Sequence, residues 1–144
     1  MAIAGVEAQI ADAIFWYVGQ IVLNPVLPVA YEGTNFNLAV GTPYLSVNIM
    51  PNTASNVGVD FDSNVDHQGM LQASVFWPSA KGLIKPLSVA SQIVTAFKPG
   101  TIVERNGIRV LFNERPKVAS SLQESDWLQV PVTVRWRVFA MSNA

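Results

Sequence analysis

Residues 127–139 read WLQVPVTVRWRVF, and this stretch decides the fold. Its even positions, Leu128, Val130, Val132, Val134, Trp136 and Val138, are all apolar. Its odd positions, Gln129, Pro131, Thr133, Arg135 and Arg137, are mostly polar until Phe139 breaks the alternation. Period two over a dozen residues sets one face of a strand on a core and turns the other toward water or a partner. β-branched and aromatic residues dominate, as a pleated, half-buried surface favours. At about 3.4 Å per residue the strand spans roughly 40 Å, which leaves room for pairing outside its own domain. Pro131 removes one ladder donor, so an edge or a bulge is expected there.

Upstream, residues 101–105 and 108–112 flank Asn106-Gly107. Asn-Gly between two β-rich segments is a strong hairpin signal and implies a type I′ turn. Residues 113–126, with Pro116 and a Ser/Gln/Glu/Asp-rich run, form a polar connection into the spine. Before the hairpin, Pro86 suits the first turn of a helix, Ala90, Ile93, Val94 and Phe97 give it an apolar stripe, and Pro99-Gly100 stops it. Two further strands are expected. Residues 44–50 place Leu45, Val47 and Ile49 inward, and residues 68–77 place Leu71, Ala73, Val75 and Trp77 on one face. Residues 51–66 between them have turn composition and three aspartates, a long acidic and partly β tip. Residues 25–43 read as irregular surface chain. Residues 5–23 form a helix with Val6, Ile10, Ile14, Tyr17, Val18 and Ile21 on its stripe, ended by Asn24-Pro25. Phe15 and Trp16 fall off that stripe, so either the helix is deeply packed or Trp16 covers a neighbouring subunit. The expected order is α-β-β-α-β-β-β: one α+β domain over 1–144, with a mostly antiparallel sheet flanked by two helices.

Half of the 144 residues are hydrophobic, only 13% are charged, and the net charge is −1. A surface so thin in charge points to burial in an assembly, and no overall basic field recruits nucleic acid. The absence of cysteine excludes a disulfide framework, a thiol nucleophile and a cysteine-rich zinc site. The first residues lack a basic signal region, and the apolar run 11–23 is too short and interrupted to span a membrane. A soluble protein made in the cytoplasm is the expectation.

Motifs for chemistry are sparse. The single histidine, His67, has neither a second histidine nor a cysteine near it in sequence, and reads as a solvated or capping residue. Nucleophile-elbow, zincin and phosphate-loop patterns are missing. Asp60, Asp62, Asn64 and Asp66 alternate like the first half of a calcium loop. Val65 stands at the glycine position of that pattern and Leu71 at the closing glutamate, so a solvated acidic loop is the better reading. Neither metal, cofactor nor catalytic group is therefore assigned. Arg135 and Arg137 lie on the outward face of the spine, with Arg105 and Arg109 on the hairpin. These are expected to pair with Asp60, Asp62 or Glu124 of a neighbouring subunit rather than with phosphate. Val57, Val59 and Phe61, interleaved with Asp60, Asp62 and Asp66, make 52–66 the expected mobile element, ordering on a partner or lining a lumen.

An ordered series of residues completes the reading. It runs Pro28-Val29-Ala30-Tyr31 with Asn35 and Phe36, Pro43-Tyr44-Leu45, Gly69-Met70-Leu71-Gln72, a strand ending at Pro78, and Pro86 opening a helix. Phe97 with Gly100-Thr101, then Gly107, Pro116, Trp127 with Val130-Pro131-Val132, and Trp136-Arg137 follow. In this order, over residues 10–139, the chain resembles the tail terminator (tail completion) family of long-tailed bacteriophages, the lambda-type group. The resemblance implies a small α+β structural protein of the virion tail. It implies a hexameric ring that caps the finished tail tube and then meets the head-completion protein, with DNA passing through its lumen. The alternatives are another neck or tail component, such as a head–tail connector or tube subunit, and an enzyme built on His67 and the acidic loop.

Overall fold

The spine is longer than its alternation indicated. In the computed structural model, which describes residues 5–36, 41–51, 55–57 and 64–141, β9 runs Trp127–Met141. It pairs antiparallel with β4, Asn64–Pro78, along the full length of both, from Asn64 opposite Met141 to Pro78 opposite Trp127. β4 thus begins four residues before the expected Gln68, because its first residues are held between β9 and a short strand β3, Ser55–Val57. On its other flank β4 pairs with β2, Tyr44–Pro51, and β2 pairs in parallel with β1, Val29–Tyr31. The hairpin of β5, Thr101–Arg105, and β6, Ile108–Phe112, joins β9 at Leu111 opposite Arg137. The main path of the sheet is β1-β2-β4-β9-β6-β5.

The alternation of the spine holds. Val130, Val132, Val134, Trp136 and Val138 are all buried, in one cluster with Leu45, Val47, Leu71, Ala73 and Val75 of the neighbouring strands. Both helices cover this face. α1, Val6–Gln20, buries Val6, Ile10, Ala13, Ile14 and Val18, and α2, Ile84–Ala96, buries Pro86, Val89, Ala90 and Ile93. Each buried valine, leucine or isoleucine contributes about 1.5–3 kcal/mol when fully removed from water, so this face supplies the driving force for folding. Tyr17 couples the helices. Its hydroxyl donates to the Ala96 carbonyl at 2.6 Å, and its ring stands edge-on to Phe97 at 5.2 Å. Phe97 meets Phe112 of β6 edge-on at 4.9 Å, which ties the hairpin into the same core.

The Asn106-Gly107 turn has φ of 59° and 75°, the pair of positive angles a type I′ turn requires. Pro131 is not at an edge. It lies mid-sheet, and its carbonyl accepts from Ala119 N–H at 2.9 Å on the side facing β7, Lys117–Val118. An antiparallel residue points its nitrogen and oxygen the same way. The missing donor therefore faces the flank of β9 that, around Pro131, is covered only by β7 and β8, Leu122–Gln123, in two-residue pieces. The sequence expectation merged β1, β3, β7 and β8 into loops, since runs of two or three residues carry no readable period. The α+β class, with a mostly antiparallel sheet backed by two helices, is what the structure has.

Candidate assembly surfaces

β-strands turn every second residue away from the helices, and here that second face has its own composition. Its outward positions are Tyr44, Ser46, Asn48 and Met50 on β2, Met70, Gln72, Ser74 and Phe76 on β4, and Trp127, Gln129, Pro131 and Thr133 on β9. None is charged. Across one row Tyr44 stacks on Phe76 at 4.8 Å with only 5° between planes. Trp127 stands edge-on to Tyr44 at 5.3 Å, and Phe36 joins at 5.2 Å. Partial burial raises the Tyr44 hydroxyl above its ordinary pKa. In the middle of the face Gln129 Nε2 donates to the buried Ser74 hydroxyl at 3.0 Å, satisfying it. Leu122, opposite Gln129 on β8, adds an exposed apolar side chain. Among the described residues neither helix lies on this face.

Part of the outer side of the helical layer is also uncharged, away from Glu7, Asp12 and Lys85. Residues 13–31 and 86–97 contain no Asp, Glu, Lys, Arg or His. The depression between α1 and α2 is lined by Tyr17, Gln20, Ile21, Val22, Gln92 and Thr95. Beside it Val22 is 87% exposed and Val26 81%. The turn carrying them is fixed to α2, since Gln92 Oε1 accepts from Asn24 N–H and Gln92 Nε2 donates to the Asn24 carbonyl, both at 2.8 Å.

The arginines expected at a subunit boundary separate into two groups. The I′ turn sets Glu104 opposite Arg109 and Arg105 opposite Ile108, so Arg105 and Arg109 point to opposite faces instead of forming one basic stripe. Arg105 reaches α1. Its Nε donates to Asp12 Oδ2 at 2.8 Å, and its guanidinium lies 5.2 Å from the centre of the Trp16 ring. Asn106 Nδ2 donates to the same Asp12 oxygen at 2.9 Å and to the Gln9 carbonyl at 3.3 Å. The Asn106 amide first, then Arg105, hold the Asp12 carboxyl below its usual range. Trp16 and Arg105 thus latch the hairpin tip to the helix within the chain. Trp16, 41% exposed, keeps part of its ring in the open.

Arg109 pairs with Glu104 at 2.7 Å and Arg135 with Glu114 at 3.4 Å, both pairs exposed. Arg137, opposite Gln68 and Leu111, is half-buried and also has an interaction within the chain. Arg135 and Arg137 share the outward face and border its uncharged part. Exposed pairs of this kind are worth about 0–1 kcal/mol and exchange partners readily.

Of the acidic segment, Val59, Asp60, Phe61 and Asp62 lie outside the described residues. Val57 belongs to β3 and Asp66 to β4, opposite Ser55 and Phe139, so Asp66 is a strand residue and not part of a loop. Asn64 is in β4 too, which puts the second half of the calcium-like pattern on extended backbone where a cation loop has to curl. His67 stands inside β4 opposite Val138. Among the described residues no three acidic, histidine or cysteine side chains cluster to hold a metal ion, and no helix is long and apolar enough to cross a membrane.

Comparison with known proteins decides what kind of protein carries these surfaces. A family model described as phage tail terminator protein matches residues 9–136. The chain belongs to the phage tail terminator family. It is thus a structural protein of the bacteriophage virion tail, as the ordered residues from Pro28 to Arg137 implied. A solved structure of a protein designated only by a sequence identifier aligns with TM-score 0.71, covering 88% of this chain and 94% of its own at 20% identity. At that identity the likeness speaks for the fold. No curated protein matches the chain in sequence. The terminator's uncharged faces were visible as charge-free runs at 13–31 and 86–97. The Tyr44–Phe76–Trp127 cluster, in contrast, depends on strand register and had no sequence signal.

Proposed function

We propose that the chain forms a closed ring, six-membered as the family resemblance implies, seated on the end of the completed tail tube. There it stops addition of further tube subunits and offers its opposite side to the head-completion protein, with DNA passing through the lumen. The observation that carries this reading is the outward face of β2, β4 and β9, uncharged and rich in aromatic and methionine side chains. Such a surface is costly to leave in water on a chain with so little charge and fits burial against protein. A ring also needs two different patches on each copy, and the helical layer supplies a second uncharged surface away from the first. Arg135 and Arg137 at the border of the sheet face are placed to contact acidic groups of an adjacent subunit.

The test is tube growth with purified tube protein, with and without this chain. With it, electron microscopy should show tubes whose growth has ceased, each carrying a ring at one end. Tubes of equal length distribution in both samples would refute the capping role. A chain that polymerised into tubes by itself would make it a tube subunit instead.

A further inference from the structure

The two uncharged surfaces lie on opposite sides of a two-layer domain, because both helices pack on one face of the sheet and, among the described residues, no helix covers the other. We infer that these surfaces meet each other: the helical layer of one copy, led by Val22 and Val26, seats on the open β2–β4–β9 face of the next copy. The inference rests on the ring reading and assigns its contact.

Three features support a second copy as the occupant. First, the absence of charge is matched. A contact dried at its centre strands an ionic group if either side is charged there. The Val22–Val26 turn and the middle of the sheet face carry no charge, and Glu7, Asp12, Lys85 and Arg105 lie outside that turn. Lys117, Arg135 and Arg137 lie only along the border of the sheet patch, as a hydrated rim around an uncharged centre. Second, the projecting element is pre-ordered. The two hydrogen bonds between Asn24 and Gln92 hold the Val22–Val26 turn on α2, so little conformational entropy is lost when it is buried. Third, the size fits. β2 is 8 residues long. With β4, β9 and the β7/β8 line beside it, the face together with its Lys117 and Arg135 rim measures roughly 19 by 27 Å in plane, about 500 Å², from strand spacing and rise. That is of the order of the ~800 Å² of accessible surface each partner covers in a standard interface.

The alternative uses of these faces have different consequences. If each face paired with its own kind, a variant with one face altered would still run as a two-fold dimer through the other. Front-to-back contact repeats in one direction and leaves no uncharged face bare.

The experiment uses the full chain with one face altered at a time. Val22→Asp/Val26→Asp changes the helical side at exposed positions, and Gln72→Glu, with Gln72→Arg as a second version, changes the sheet side. Folding is checked by a urea melt. Size is read by exclusion chromatography with light scattering, where the wild type should run as a ring. Each variant alone should run as a monomer. An equal mixture of the two classes should run as a dimer and nothing larger, because only one intact pair of faces remains between them. A ring persisting in either class, or a mixture that stays monomeric, overturns the inference. A variant that keeps the ring but no longer binds tubes also overturns it and gives that face to the tube protein. If the wild type is itself monomeric at every concentration and at tube ends, the ring reading fails first, and the variants match the wild type.

Discussion

One strand, β9, shows two surfaces made by different rules. Its even residues are sealed under two helices and take part in one continuous apolar cluster. Its odd residues, from Trp127 to Thr133, are uncharged yet not core, and beyond them come Arg135 and Arg137. On an ordinary monomer the second set would be charged and scattered, since nothing selects against charge on a wet sheet face. The contrast teaches that the inner face is built for the chain's own stability, while the outer one has the composition that the proposed assembly requires. Substitutions on the two faces should therefore separate folding from association.

The largest effect belongs to the inner face. Trp136→Ala should cost about 3–5 kcal/mol in a urea melt, the range for emptying the site of a large buried aromatic. Trp136 is 3% exposed, and among the described residues its indole N–H has no partner. Trp136→Phe should therefore cost clearly less, because it removes an unpaired donor along with the lost area. A Trp136→Phe cost well above that of its lost area would mean that the N–H is satisfied in the native protein.

Next comes the hairpin that binds the inner face to α1. Gly107, at φ 75°, lies in the left-handed region, where a side chain costs roughly 1–2 kcal/mol. Gly107→Ala should lower the melt by about that amount and loosen the Arg105–Asp12 latch, visible as faster amide exchange at residues 101–112.

Asp12→Asn should cost less, about 0.5–1 kcal/mol, since the ion pair is partly exposed. The sign of its pH dependence is fixed. The folded carboxyl titrates below its ordinary 3.8, so its contribution is present above that value and fades as pH falls through the lower folded pKa. Wild type and Asp12→Asn should therefore converge in stability in acid and diverge toward neutral pH. A gap independent of pH would assign the effect to packing.

The smallest effect on the fold is expected on the outer face. Arg135→Glu/Arg137→Glu should shift the melt by about 0.5 kcal/mol or less, as for surface substitutions, yet weaken association in a salt-dependent way. If the double variant assembles like wild type at low and high salt, the basic border serves another purpose.

The parts of this division legible in sequence were those with a period. The alternation of 127–139 gave the buried residues of β9, the stripes gave both helices, and Asn106-Gly107 gave the hairpin with its turn type. The mid-sheet position of Pro131 was not legible, because the sequence does not say which side of a strand its nitrogen faces. Nor were β1, β3, β7 and β8, whose pairing is imposed by the longer strands beside them. For the candidate surfaces, charge-free runs mark the helical layer directly. The sheet face emerges only once the register sets Tyr44, Phe76 and Gln129 in one row. Arg105 and Arg109 looked like one group in the chain, and the register of a two-residue turn put them on opposite faces.

The most direct test of the central claim is the mass of the wild-type chain in solution, by light scattering at low and at high concentration. The account predicts a species six times the 15.6 kDa chain, about 94 kDa, at high concentration or on tube ends, losing mass on dilution in steps of one chain. A particle that stays at the mass of one chain at every concentration and never forms a ring on tubes would contradict it.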